Sequence, residues 1–140
     1  MSTRSTIAIE RTDGTVHQVY CYWDGYISNN GRLLLENYSD PAVLQELIDL
    51  GSISSLGDTI GFKHSLDDYS VKMTTFYARD NGEDLKVNKF INYTDYCFRM
   101  QVEEFNYILR NTGEWEFTIQ NVGVVRSLEE SWANEQLFFS

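Results

Sequence analysis

The chain has 140 residues, 42% hydrophobic and 23% charged, the composition of one globular domain over 1–140 able to bury roughly two-thirds of its unfolded surface. Its net charge is −10, spread over both halves: residues 1–70 hold 4 basic and 10 acidic groups, residues 71–140 hold 7 and 11. An evenly negative surface disfavours nucleic acid and anionic membrane and steers the chain toward basic protein surfaces, with a homo-oligomer compatible. Cys21 and Cys97 are too few for a disulfide framework or a four-cysteine zinc site, and no apolar run has signal or membrane-spanning length, so a cytoplasmic location is expected.

In chain order, Thr6–Glu10 and Val16–Trp23 flank Thr12-Asp13-Gly14-Thr15, a hairpin signal because Asp and Gly tolerate positive φ. With Asp13-Gly14 as a two-residue loop, Ile7 and Ile9 share a face with Gln18, Tyr20 and Tyr22, while Ala8, His17, Val19, Cys21 and Trp23 share the other; a one-residue slip exchanges the sets. Asp24-Gly25 redirects the chain. After the polar break at Ser28–Gly31, Arg32–Tyr38 predicts a short helix. Asp40 caps a second with Pro41 in its first turn, Val43, Leu44, Leu47, Ile48 and Leu50 at helical spacing, and Gly51 as the stop.

Gly51–Gly61 reads as an ordered loop, and it lacks the phosphate-cradling spacings. Val71–Ala78 alternates as a strand, and Asp80-Asn81-Gly82 turns into Leu85–Ile91, giving a second hairpin or a long loop. Thr94 or Asp95 caps a short helix over Tyr96–Met100. Phe105–Arg110 and Glu114–Gln120 form a third hairpin around Asn111-Thr112-Gly113, with Trp115, Phe117 and Ile119 on its buried face. Ser127-Leu128-Glu129-Glu130 is a capping box that opens a terminal helix carrying Leu128 and Trp132. The elements sum to an α+β fold: a mainly antiparallel sheet built from hairpins, with two or three helices packed on one side.

No catalytic set stands out, which points away from an enzyme. His17, His64, Cys21 and Cys97 are not spaced as ligands, so neither a metal nor a cofactor is expected. Cys21 and His17 lie ~13 Å apart along one strand, beyond the reach of a nucleophile and its base. The apolar neighbourhoods of Cys21 and Cys97 mark both as slow-reacting structural thiols. Asp67-Asp68, Glu103-Glu104 and Glu129-Glu130 read as solvated acids. The stretch that stands out is Tyr20-Cys21-Tyr22-Trp23-Asp24-Gly25-Tyr26, four aromatics around an acid and a glycine at a strand end. Tyr and Trp are enriched among binding hot spots, and Arg4, before the first strand, is placed to pair with Asp24. The candidate binding residues are therefore Arg4, Tyr22, Trp23, Asp24, Gly25 and Tyr26.

At these residues the chain resembles a family of small phage, prophage and bacterial proteins that opens with a Ser-Thr-Arg-Ser-like segment and continues with Tyr-Cys-His-Trp-Asp-Gly-Tyr. The corresponding stretches are Ser2–Ser5 and Tyr20–Tyr26, and the likeness extends through Tyr38-Ser39-Asp40-Pro41 and Leu50–Gly57, with a weaker echo at residues 113 to 115. Tyr22 stands where that pattern has His, which weakens an acid/base or metal role there. The resemblance brings no assigned reaction. It implies a phage accessory role, and the expectation is a non-enzymatic inhibitor of a host protein or defence system, acting through an acidic, aromatic surface. The alternative is a binder or hydrolase of a nucleotide-like ligand, with Trp23 stacking a base and Arg4 meeting a phosphate.

Overall fold

Two turns of the same geometry set the register of the sheet. In Arg11-Thr12-Asp13-Gly14-Thr15 the Arg11 N–H donates to Thr15 O (2.8 Å) and the Gly14 N–H to Arg11 O (2.9 Å). In Arg110-Asn111-Thr112-Gly113-Glu114 the corresponding bonds are 2.8 and 2.9 Å. Gly14 and Gly113 adopt φ of +87° and +91°, so each turn is a three-residue loop closed by a left-handed glycine, where an L side chain is strained. The computed structural model describes residues 2–68 and 72–139.

The extra turn residue overturns the expected pairing in the first hairpin. β1 (Ser5–Glu10) pairs with β2 (Val16–Cys21) so that Ile7 meets Val19 and Ile9 meets His17. Ile7 and Ile9 therefore share the face of Val19 and Cys21, and Gln18 and Tyr20 point the other way. The two-residue loop fails because Asp13 Oδ1 accepts from the Thr15 N–H (3.0 Å) and hydroxyl (2.6 Å), leaving Gly14 to make the reversal.

The remaining strands are β3 (Ile53–Ser55), β4 (Thr75–Phe76), β5 (Asn88–Phe90), β6 (Phe105–Leu109), β7 (Trp115–Ile119) and β8 (Val122–Ser127). Their order is β4-β3-β2-β1-β6-β7-β8, with β5 also pairing to β2. β1 with β6 and β2 with β3 are parallel and the other pairs antiparallel, so the fold is α+β on a mixed, mostly antiparallel sheet.

The principal core joins Ile7, Ile9, Val19, Tyr107, Leu109 and Phe117 of the sheet to helices α1 (Arg32–Asn37) and α2 (Pro41–Asp49). Asp40 caps α2 through the Ala42 N–H (2.9 Å), as expected, and Leu44, Leu47 and Ile48 are fully buried, each contributing about 1.5–3 kcal/mol. Leu128, at the start of α5 (Leu128–Phe139), closes this core, with the Glu130 N–H donating to Ser127 Oγ (3.3 Å).

Helices are not confined to one side. A smaller core of Ala8, Val16, Phe90, Tyr96 and Ile108 covers the opposite face under α4 (Tyr93–Arg99). Asn92, rather than Thr94 or Asp95, caps α4 by accepting from the Asp95 N–H (2.8 Å).

Three further expectations change. The Gly51–Gly61 loop contributes β3. Of the strand expected over Val71–Ala78, the described residues form a strand at Thr75–Phe76 and an isolated bridge from Met73 to Thr59; Val71 lies outside the described residues, and Tyr77–Asn81 forms α3, ended by left-handed Gly82. β8 follows a tight turn at Gln120-Asn121, where Asn121 adopts φ +67°. No helix among the described residues is long and apolar enough to cross a membrane.

Candidate functional site

The aromatic motif begins with the last two residues of β2, Tyr20 and Cys21, and continues past the strand end. The Tyr22 N–H donates to Ile53 O and the Trp23 N–H to Ser54 O, both at 3.0 Å, so β3 guides the backbone past the last β2 residue. Asp24 then takes φ +55°, and the Gly25 N–H turns back to donate to Thr3 O (2.7 Å). A Cβ on Gly25 would lie 2.7 Å from Ser5 Cβ and 2.9 Å from Thr3 O, so only glycine fits without movement. The Ser2–Ser5 and Tyr20–Tyr26 stretches are one structural unit.

A buried polar frame locks this path. Asn30 is fully buried in a π-helical turn (Ile27–Gly31), and its amide donates toward Ser5 Oγ (3.1 Å), Cys21 Sγ (3.4 Å) and Trp23 O (3.4 Å). Asp24 O accepts from the Asn30 N–H (3.3 Å) and the Asn29 amide (3.2 Å), and Tyr107 donates its hydroxyl to Gly25 O (2.6 Å). Burial pushes the Cys21 thiol up to about 11 despite hydrogen bonds with Asn30 and Ser5, so it stays a neutral thiol. The carbonyls of Trp23, Asp24 and Gly25 are satisfied inward, while the Trp23 and Asp24 side chains stay exposed.

Trp23 is 44% exposed and Tyr26 41%. The rings of Tyr22 and Trp23 meet edge to face at 4.8 Å and 77°, and Arg4 lies over the Tyr22 ring at 5.2 Å. Hydrogen bonds with Ser2 and Arg4 pull the Tyr22 phenol below its ordinary range. The expected Arg4–Asp24 pair is absent among the described residues, because the guanidinium is taken up by Tyr22.

Tyr22, Trp23 and Asp24 form one wall of a cleft of about 410 Å³. Ser54 and Ser55 of β3, Leu66, Asp67 and Asp68 of the following loop, Thr75 of β4 and Tyr77 of α3 complete it. Gly25 is frame rather than surface, Tyr26 is exposed without lining the cleft, and Arg4 acts through Tyr22. Sequence reasoning missed Asp67, Asp68 and Tyr77. Asp67-Asp68 had the outward signature of solvated acids, and Tyr77 fell in a strand pattern that the chain uses as a helix start. Three carboxylates line the cleft with no Lys or Arg, and those of Asp24 and Asp67 form no hydrogen bond or ion pair among the described residues.

Beneath the cleft, His64 Nε2 meets the Thr75 hydroxyl at 2.9 Å, and His64 Nδ1 faces Phe62 O at 2.8 Å and Asp80 at 3.8 Å. A hydroxyl, an imidazole and a carboxylate in this order have the outline of a nucleophile relay. The bonding argues for a clasp instead. Asp80 already accepts from the Arg79 guanidinium (3.0 and 3.2 Å) and from the N–H groups of Phe76 (2.7 Å) and His64 (3.0 Å). Burial raises the Asp80 carboxyl, but these donors outweigh it and hold the group below its usual range. The Asp80 charge is thereby committed to Arg79, and the imidazole N–H is oriented by a backbone carbonyl. Arg79 also donates to Ile60 O and Thr74 O, both at 2.8 Å, so the cluster ties the loop after β3 to the start of α3.

A second concavity, of about 290 Å³, lies between α4 and the β7–β8 hairpin, lined by Tyr96, Cys97, Met100, Val102, Val122 and Val125 among others. Its one charged residue, Glu116, is paired with Arg110 (2.9 Å). Cys97 is exposed, contrary to the expectation of two shielded thiols. Among the described residues no three His, Cys, Asp or Glu side chains converge as a metal-binding group. The chain matches no family model, no curated protein and no solved structure.

Proposed function

We propose that this protein is a non-enzymatic accessory protein that binds a basic protein partner through the strand-end aromatics and the acidic cleft beside them. The observation that carries the reading is the contrast within Tyr22–Tyr26. The backbone is held by a buried hydrogen-bond frame, while Trp23 and Tyr26 stay exposed, and the cleft beside Trp23 carries the carboxylates of Asp24 and Asp67, which have no cationic partner among the described residues. Rigid aromatics contribute large contact area at low entropic cost, and unpaired carboxylates steer association with a cationic surface. In the phage setting implied by the resemblance, the partner is a host factor or a component of a defence system, and binding inhibits it.

The alternative of a nucleotide-like ligand has less support, because three carboxylates line the cleft and Arg4 is engaged by Tyr22. The test is affinity capture from bacterial lysate with the wild-type chain and a Trp23→Ala variant, followed by rebinding of the purified partner. A basic protein held at low salt, released at high salt and lost with Trp23→Ala is the expected result. A co-purifying nucleotide, or capture indifferent to Trp23, contradicts it.

A further inference from the structure

We infer that the strand-end cleft is a receptor for a single arginine side chain of the basic partner. The inference deepens the reading above and rests on it. The walls have the right chemistry: Tyr22 and Trp23 stand nearly perpendicular (77°) at 4.8 Å, and Tyr77 adds a third ring to the same cleft. Aromatic faces attract a cation through their quadrupole, and the attraction grows as water is excluded. Asp24 from the strand-end turn and Asp67 and Asp68 from the loop give the cavity a negative lining with no Lys or Arg among the described residues. An anion is repelled by this lining, and a neutral apolar ligand would bury the Asp24 and Asp67 carboxylates without compensation.

Guanidinium fits better than ammonium for a geometric reason. A planar guanidinium can lie on a ring and still direct N–H groups in its plane toward carboxylates, whereas a compact ammonium holds its hydration more tightly. The chain already uses this contact next to the cleft, where Arg4 lies over Tyr22 at 5.2 Å. The receptor is also pre-shaped. Trp23 is held through its backbone at Ser54 and Asn30 and its ring packs against Tyr22, and Thr75 is held through His64, so this wall of the cleft needs little ordering on binding.

The probe is Nα-acetyl-arginine amide, titrated into the full chain at low salt and followed by tryptophan fluorescence and amide NMR shifts. We expect saturable binding with Kd on the order of 1 mM, confined to resonances around Tyr22–Asp24, Asp67 and Tyr77. Trp23→Ala should weaken it about tenfold or more, and Asp67→Asn about threefold with a reduced salt dependence. Trp23→Phe should retain most of the affinity, which separates loss of the ring from loss of the fold. The inference is overturned by a linear, unsaturated response to 20-fold above about 1 mM probe, by binding indifferent to Trp23→Ala, or by tetramethylammonium binding more tightly than the arginine probe. Trp23-dependent capture of a basic partner without probe binding would remove the receptor and leave the proposed function standing. Probe binding without any such partner would do the reverse.

Discussion

Gly25 and Trp23 lie two residues apart, and the same fold treats them in opposite ways. Gly25 is pressed between Thr3, Ser5 and the Tyr107 hydroxyl, while Trp23 leaves nearly half its surface in water. One stretch therefore holds two regions, a frame below and a display above. The frame can be rigid because its polar groups find partners inside the protein: Asn30, Cys21 and Ser5 close on one another and on Trp23 O. The display can be varied without touching those bonds, since Trp23, Asp24 and Tyr26 contribute to the frame mainly through backbone. A motif of this kind carries two constraints, and substitutions on its two sides should fail differently.

The largest effect is expected in the frame. Gly25→Ala forces a Cβ to within 3 Å of Ser5 and Thr3, so stability should fall by about 1–3 kcal/mol, read as a lowered urea midpoint with unchanged slope. An unchanged midpoint would mean that the Ser2–Ser5 segment yields freely and that frame and display are not distinct.

Alkaline pH probes the same region. The Cys21 thiol is pushed up from 9.0 to about 11 by burial, so between these values the unfolded chain releases a proton that the folded chain keeps. Stability is unaffected below that window and falls as pH rises through it, by on the order of 2–3 kcal/mol at its upper end. Burial also raises the phenols of Tyr96 and Tyr107, which steepens the loss. Urea midpoints from pH 8 to 11 should decline less in Cys21→Ala than in the wild type. Parallel slopes would contradict a buried neutral thiol.

How much of this was legible in the sequence depends on how local the deciding interaction is. The Asp40-Pro41 helix start, the Ser127 cap of the terminal helix and the turn glycines Gly14 and Gly113 rest on contacts within a few residues, and each appears where its signal lies. The length of the first turn was not legible, because Asp13 bonding to Thr15 selects a three-residue loop and moves the whole register by one. α3 displaced an expected strand because Asp80 accepts from the Phe76 N–H and is held there by Arg79 and by His64, 16 residues away, a contact that no local pattern announces. The site was half visible. Tyr22, Trp23 and Asp24 announced themselves by composition, but Asp67 and Tyr77 are brought to the cleft by the loop after β3 and the start of α3, which no local pattern announces.

A smaller effect is expected away from the motif. Gly14→Val places a β-branched residue at φ +87° in the first turn, where a Cβ meets nothing within 4 Å, and should cost about 1 kcal/mol without altering the display. Partner capture by the folded fraction should be unchanged, and loss of capture at full folding would show that the two ends of the sheet are coupled. Thiol titration sharpens the contrast without any mutation. Cys97 is exposed and should react within the mixing time scale of a typical surface thiol, whereas buried Cys21 should react only on unfolding. Two fast thiols would contradict a closed frame.

The central claim is that Trp23 is displayed rather than packed, and one variant read in two ways tests it most directly. Trp23→Ala should leave the thermal midpoint within about 2 °C of the wild type, because the ring is 44% exposed, while lowering affinity for the captured partner by tenfold or more. A midpoint lowered by several degrees with native affinity at low temperature would make the ring part of the architecture and contradict the account.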